Sequence, residues 1–264
     1  ETQEPVHYHQ WFEATCSSPK TCTTCGVTEG GVVGHVGGQW IKNQAANGEA
    51  ITRYQECIYC GIKINETQIT ESKGLAYTVN ADGTTCTITG MGTCTDVILC
   101  IPSYIDGYKV IAIGDSAFYE CGGLLEIVIP NSVTSIGRSA FEGCFRATVL
   151  TLSSCITTIG DYAFTRCQGL TEVTIPQGVV TIGEGAFFEC TNLINVTVPD
   201  SVTDIGSKAF YNCYNLMEFV FPDGITIINP NTFNFCRNLT YVTIPNSVTT
   251  IAASAFFGCN SLTG

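Results

Sequence analysis

From residue 101 onward the apolar positions recur with a period of 23 residues. Ile129-Pro130, Leu152, Ile175-Pro176, Val198-Pro199, Phe221-Pro222 and Ile244-Pro245 open successive copies of one pattern. An earlier copy opens at Ile101-Pro102 and carries a five-residue insertion around Asp106-Gly107 before rejoining it. Within a copy, Val173 and Ile175 alternate with polar residues, as on a strand with one buried face. Pro176 then ends the strand, because proline lacks the N–H that a ladder needs. A second short extended piece follows, with Val179 and Ile182 facing inward, and Gly183 turns the chain. Ala186, Phe187 and Cys190 stand at the i to i+3 or i+4 spacing of a short helix or 3₁₀ turn. One such coil cannot bury its apolar edge alone, so the period predicts a solenoid of stacked coils.

Stacking turns equivalent positions into ladders. Phe118, Phe141, Phe164, Phe187, Phe210, Phe233 and Phe256 form one. Cys121, Cys144, Cys167, Cys190, Cys213, Cys236 and Cys259 form another. Coils about 4.8 Å apart would bring ladder thiols near disulfide distance. Small buried free thiols are the expectation, since free cysteine packs as a small hydrophobe. The position after the inward isoleucine holds Gly114, Gly137, Gly160, Gly183 and Gly206, then Asn229 and Ala252. Glycine and asparagine tolerate a left-handed backbone and alanine does not. The last coil is therefore expected to relax or fray.

The motif Ile-Pro-x-x-Val-Thr-x-Ile-Gly-x-x-Ala-Phe-x-x-Cys-x-x-Leu-x-x-Val over residues 101–264 resembles the BspA-like leucine-rich repeats. The resemblance implies a right-handed leucine-rich-repeat coil, each turn a β-strand plus a short helix or 3₁₀ segment, with the last repeat incomplete. Residues 73–100 resemble the β-hairpin that precedes such arrays. Two alternating strands flanking Asp82-Gly83 support it independently, and a hairpin there would cover the first coil's apolar end. The resemblance also implies an exported, surface-associated protein that binds or adheres to a protein or glycan on host or neighbouring cells. A structural spacer within a larger surface protein is the alternative.

Composition narrows these readings. Apolar residues make up 45% of the 264 residues and charged residues 13%, with a net charge of −12. The charge is spread along the chain and forms no basic patch, which argues against nucleic acid and against electrostatic attachment to anionic lipid. No apolar run reaches about 18 residues, the length that would insert into a membrane. No signal peptide is visible; the chain starts at Glu1 and stops within a repeat, as expected of an extracellular fragment whose leader has been removed.

Residues 1–72 lack the period and hold the three histidines and both tryptophans. Cys22-Thr-Thr-Cys25-Gly26 and Cys57-Ile-Tyr-Cys60-Gly61 are two CxxCG knuckles, the signature of turns that present thiolates to a structural zinc ion. Cys22, Cys25, Cys57 and Cys60 are the first ligand set; His9/Cys16/Cys22/Cys25 and His9/Cys22/Cys25/His35 remain open. Local disulfides are the alternative to metal in an oxidising setting. The segment also resembles short histidine- and tryptophan-containing CxxCG modules of cell-surface proteins from anaerobic bacteria. Its aliphatic content is thin, so a metal or disulfide clip would stabilise it. No cofactor is required elsewhere.

The array has no histidine, which removes Ser–His–Asp and Cys–His chemistry from residues 73–264. A non-enzymatic binding role is the expectation. Glu126, Glu172, Asn195, Glu218 and Tyr241 occupy outward strand positions and form the candidate binding face, with Val149 in the same row. Beside them run Val128, Thr151, Thr174, Thr197, Val220 and Thr243. Asn65, Asn195 and Asn238 fit the N-glycosylation pattern, which matters only in a eukaryotic secretory setting.

Overall fold

A computed structural model describes residues 70–263 and the backbone of three earlier strands. Those strands are β1 (Gly37–Asn43), β2 (Ile51–Cys57) and β3 (Lys63–Ile69), an antiparallel sheet in the order β1-β2-β3. The chain divides into two compact units, Glu1–Thr70 and Glu71–Gly264.

The second unit is a β-solenoid. It opens with the hairpin β4 (Ala76–Val79) and β5 (Thr85–Gly90), antiparallel with Val79 opposite Cys86. Asp82 organises the connection, because its Oδ1 accepts from the N–H groups of Thr84 (2.7 Å) and Thr85 (2.8 Å). Gly83 takes the left-handed φ of +67° that the turn requires. Then come β6 (Ile98–Cys100), β7 (Tyr104–Ile105) and β8 (Tyr108–Ile113). The insertion in the first copy is the tight turn between β7 and β8, which pairs Tyr104 with Lys109 and Ile105 with Tyr108. Asp106 (φ 50°) and Gly107 (φ 87°) are both left-handed, as a two-residue hairpin demands.

Each later coil contributes two short strands. The first row comprises β9 (Glu126–Val128), β11 (Val149–Thr151), β13 (Glu172–Thr174), β15 (Asn195–Thr197), β17 (Glu218–Val220) and β19 (Tyr241–Thr243). The second comprises β10 (Ser135–Ile136), β12 (Thr158–Ile159), β14 (Thr181–Ile182), β16 (Asp204–Ile205), β18 (Ile227–Ile228) and β20 (Thr250–Ile251). Pairings within each row are parallel and join equivalent residues, for example Val173 with Val196 and Ile159 with Ile182. In the second row β5 pairs in parallel with β8, which continues into β10.

The third side is a correction to the expected helix or 3₁₀ segment: the described residues contain no helix. The destinations of the N–H groups explain why. Alternate amides leave their own coil, as where Phe141 N donates to Ala163 O (2.8 Å), Gly143 N to Thr165 O (2.8 Å) and Ser139 N to Asp161 O (2.8 Å). The amides between them close single i to i+3 turns, such as Cys144 N to Phe141 O (3.2 Å). A helix would need every amide for its own chain. Splitting them places two residues four apart in each coil in the left-handed region, so Ser139 (φ 51°), Tyr162 (55°), Arg166 (58°) and Lys208 (58°) adopt it despite their side chains.

The interior is the set of ladders. Consecutive phenylalanines from Phe118 to Phe256 stack with centroids 5.0–5.5 Å apart and planes within 12°. The cysteines from Cys86 to Cys259 are free thiols. They also do more than fill space. Cys190 Sγ donates to Phe164 O in the preceding coil (3.2 Å), and Cys144, Cys167, Cys213, Cys236 and Cys259 repeat the bond at 3.1–3.4 Å. Each such thiol is a small donor, buried in every case but Cys259, to a carbonyl that already accepts a turn N–H.

The glycine column also has a different cause from the expected one. Gly114, Gly137, Gly160, Gly183 and Gly206 are absent from the left-handed residues. They are glycines because the coils approach too closely for a side chain. A Cβ on Gly160 would lie 2.6 Å from the carbonyl carbon of Gly137 and from the carbonyl oxygen of Ile136. Ala252 keeps its backbone bond to Ile228 O (2.9 Å), so the expected fraying is not seen there.

Candidate functional site

The first strand row sets the predicted residues side by side in pairs, but it is broken into three separate sheets, β6–β9–β11, β13–β15 and β17–β19. Glu172 pairs with Asn195 and Glu218 with Tyr241, while Glu126 pairs with Val149. Strand alternation turns their side chains outward while Ile127, Val173, Phe219 and Val242 enter the core. Glu172, Asn195, Glu218 and Tyr241 are exposed, and Glu126 is half-buried. In the neighbouring column Thr174, Thr197, Val220 and Thr243 are exposed, whereas Val128 is buried. The open part of the face therefore begins after the first coils.

Of the proposed zinc ligands, Cys22, Cys25 and Cys60 lie outside the described residues, as do His9, Cys16 and His35. Cys57 is the last residue of β2 and is described by backbone alone. Among the described residues, no group of three or more histidine, cysteine or acidic side chains is placed to hold a metal ion. Nor is any described helix long and apolar enough to cross a membrane.

The ladder thiols are poor nucleophiles. Burial pushes Cys190 and Cys144 up to about 12 and raises Cys167, Cys213 and Cys236 well above the ordinary thiol range. Two ion pairs lie on the turn side. Arg166 pairs with Glu142 at 2.8 Å and Lys208 with Glu184 at 3.2 Å. Tyr162 Oη donates to Glu184 Oε1 (2.6 Å); that bond pushes the phenol up to about 12 and holds the carboxyl below its usual range.

Strand-centred reading of the sequence passes over one feature, a run of aromatic side chains on the turn side. Phe188 and Tyr211 stack at 4.8 Å, Tyr211 meets Phe235 edge-on, and Phe235 meets Phe257 likewise. Arg237 lies over the rings of Tyr214 and Phe235. The signal was present in the position after the ladder phenylalanine, which holds Tyr119, Phe188, Tyr211 and Phe257 at the common period.

A family model described as the BspA type leucine rich repeat region matches residues 104–216 and 157–264, in six copies. No curated protein matches the sequence. Among solved structures, a leucine rich repeat protein of T. pallidum is 32% identical, covers 74% of this chain and 90% of its own, and superposes with a TM-score of 0.70. A leucine rich cell surface protein of Faecalibacterium prausnitzii is 22% identical over 74% of this chain and 88% of its own, with a TM-score of 0.43.

Proposed function

Because the chain belongs to the BspA-type leucine-rich repeat family, we propose that it is an exported cell-surface binding module, and that its open strand row docks a protein of a host or neighbouring cell. One observation carries this reading. The interior repeats the same phenylalanine and cysteine in coil after coil, yet the outward row changes chemistry at every step, through Glu172, Asn195, Glu218 and Tyr241. Regular surfaces of this kind are what solenoids offer to partners. In the same reading the β4–β5 hairpin caps the first coil, since Cys86 and Ile88 are buried there and β5 pairs with β8. Residues 1–72 would be a separate clip held by zinc or disulfides.

Charge reversal tests the face. The whole chain and the double variant Glu172→Lys/Glu218→Lys are compared for binding to immobilised host matrix proteins and to intact neighbouring bacteria. We expect one class of target to bind and the variant to lose about tenfold or more in affinity, as for central charges in an interface. No bound target, or binding that the double variant leaves unchanged, rejects the docking face and leaves the spacer role.

A further inference from the structure

We propose that the turn side carries a second site, a cleft for a neutral saccharide, which stands or falls independently of the strand row. The cleft measures about 630 Å³ and is broadly open to solvent, as a groove for an extended ligand would be. The stacked rings of Phe188 and Tyr211, 4.8 Å apart and 6° from parallel, give it an apolar lining. Tyr162 bounds it beside Gly185, whose missing side chain leaves room for the phenol ring. The phenol is held in place by its bond to Glu184, the same carboxylate that receives Lys208 Nζ. The ammonium is thus engaged and does not stand ready for an anion.

The amides of the lining decide the ligand class. Asn212 and Asn234 occupy adjacent coils, tied by the bond from Asn212 N to Asn234 O (2.8 Å). Asn212 Nδ2 donates to Glu189 Oε1 (3.4 Å), and Asn234 Nδ2 donates to Asn231 Oδ1 (2.8 Å). Their donors are spent locally, yet Oδ1 of Asn212 and Oδ1 of Asn234 are buried and have no hydrogen-bond partner. Asn234 as a whole is only 7% exposed. Native proteins seldom leave buried acceptors without a donor, and two on adjacent coils at one cleft point to a ligand that brings donors. Glu189, a third acceptor, lines the same cleft and repels anions. The lining therefore argues against an anion and favours a ligand that is rich in donors and partly apolar. A pyranose meets all three conditions, with C–H groups for the rings and a hydroxyl edge for the amide oxygens.

The full chain is applied to an array of neutral oligosaccharides and to a tiled array of peptides. The strongest saccharide is then titrated by calorimetry into the wild type, Tyr211→Ala, Asn212→Ala and the strand-row control Glu172→Lys, with thermal unfolding of each. The expected result is saccharide binding that Tyr211→Ala and Asn212→Ala each weaken by about tenfold or more, as for loss of an aromatic anchor or a buried hydrogen bond. Glu172→Lys should bind as the wild type does. Because Asn212 sits at φ 57°, where alanine is strained, Asn212→Gly is titrated alongside; it removes the amide and no ring, and remains decisive if Tyr211→Ala or Asn212→Ala fails to fold. No saccharide bound, saccharide binding that a folded cleft variant retains, or Tyr211-dependent binding of peptides alone overturns the proposal. Failure of the strand row would show instead as protein binding indifferent to Glu172→Lys/Glu218→Lys.

Discussion

The central coils and the last two share one interior but stack differently in the second strand row. From β8 through β16 the row is continuous, with Ile113, Ile136, Ile159, Ile182 and Ile205 in register. It is interrupted before β18 and resumes only as the separate pair β18–β20. The interruption falls where the glycine column gives way to Asn229. In the central coils the glycine amide donates to the preceding isoleucine carbonyl, as Gly206 N does to Ile182 O (2.8 Å). At Asn229 the side chain takes over, and Nδ2 reaches Ile205 O at 2.7 Å. Through all of this the phenylalanine stack passes unbroken, from Phe210 to Phe233 at 5.4 Å. Side-chain ladders thus hold the period, while the glycines set how closely the backbones approach.

The largest effect that would sharpen this contrast comes from putting a methyl group into the glycine column. Gly160→Ala places a Cβ against backbone atoms of Gly137 and Ile136, which have no rotamer to give way. Forcing atoms into a filled space of this kind costs about 1–3 kcal/mol. Ala252→Gly, at the equivalent place in the last coil, loses only chain entropy, about 0.5–1 kcal/mol. Urea unfolding of the two variants measures the difference. Equal costs at both positions would mean that the glycines serve the loop's flexibility and not the approach of the coils.

That column also marks how far the sequence could be read. The period, the inward residues and the hairpin around Asp82-Gly83 were legible because burial imposes a pattern on residue type. The reason for the glycines was not, since a glycine kept for space and a glycine kept for left-handed φ look the same. The left-handed positions were hidden for the converse reason: Tyr162, Arg166 and Lys208 give no hint of positive φ. The absent helix has the same root. Ala186, Phe187 and Cys190 carry helical spacing, but the Phe187 amide goes to Ala209 O of the next coil (2.8 Å), a long-range choice invisible to local pattern. The strand row was legible from alternation. The turn-side cleft was missed because its column is aromatic in only some coils: Glu142, Thr165 and Asn234 hold the position that Phe188 and Tyr211 fill elsewhere.

A smaller effect separates middle from end by pH. An unfolded thiol ionises near 9, whereas burial holds Cys190 at about 12 and Cys259, in the last coil, at about 11. The folded form keeps its protons where the unfolded chain loses them, so the unfolded state binds fewer protons above pH 9 and stability falls as pH rises. Below the unfolded value the contribution is fully present. The urea midpoint should therefore stay level to about pH 8.5 and decline from about pH 9 upward. Cys190→Ala should flatten that decline more than Cys259→Ala, whose window is narrower. A midpoint level to pH 11 would show that the thiols are open to solvent in the folded state.

The smallest effect addresses whether Asn229 causes the interruption or only occupies it. Asn229→Gly removes the side-chain bond to Ile205 O and frees the same carbonyl for the backbone amide. One hydrogen bond replaces another, each contributing about 1 kcal/mol, and glycine adds an entropic cost of about 0.5–1 kcal/mol, so the net change in stability is near zero or slightly unfavourable. Hydrogen exchange is the sharper measurement. If the side chain wedges the coils apart, the amide of residue 229 gains protection in the variant and β16 joins β18 in one continuous row. If protection does not rise, the break is imposed elsewhere in the coil, for instance by Pro230, whose ring follows directly and has no counterpart in the central coils. The first outcome would make residue identity at this single column the determinant of how far the second strand row runs. The second would assign that role to the turn and leave Asn229 as the residue that satisfies the stranded carbonyl.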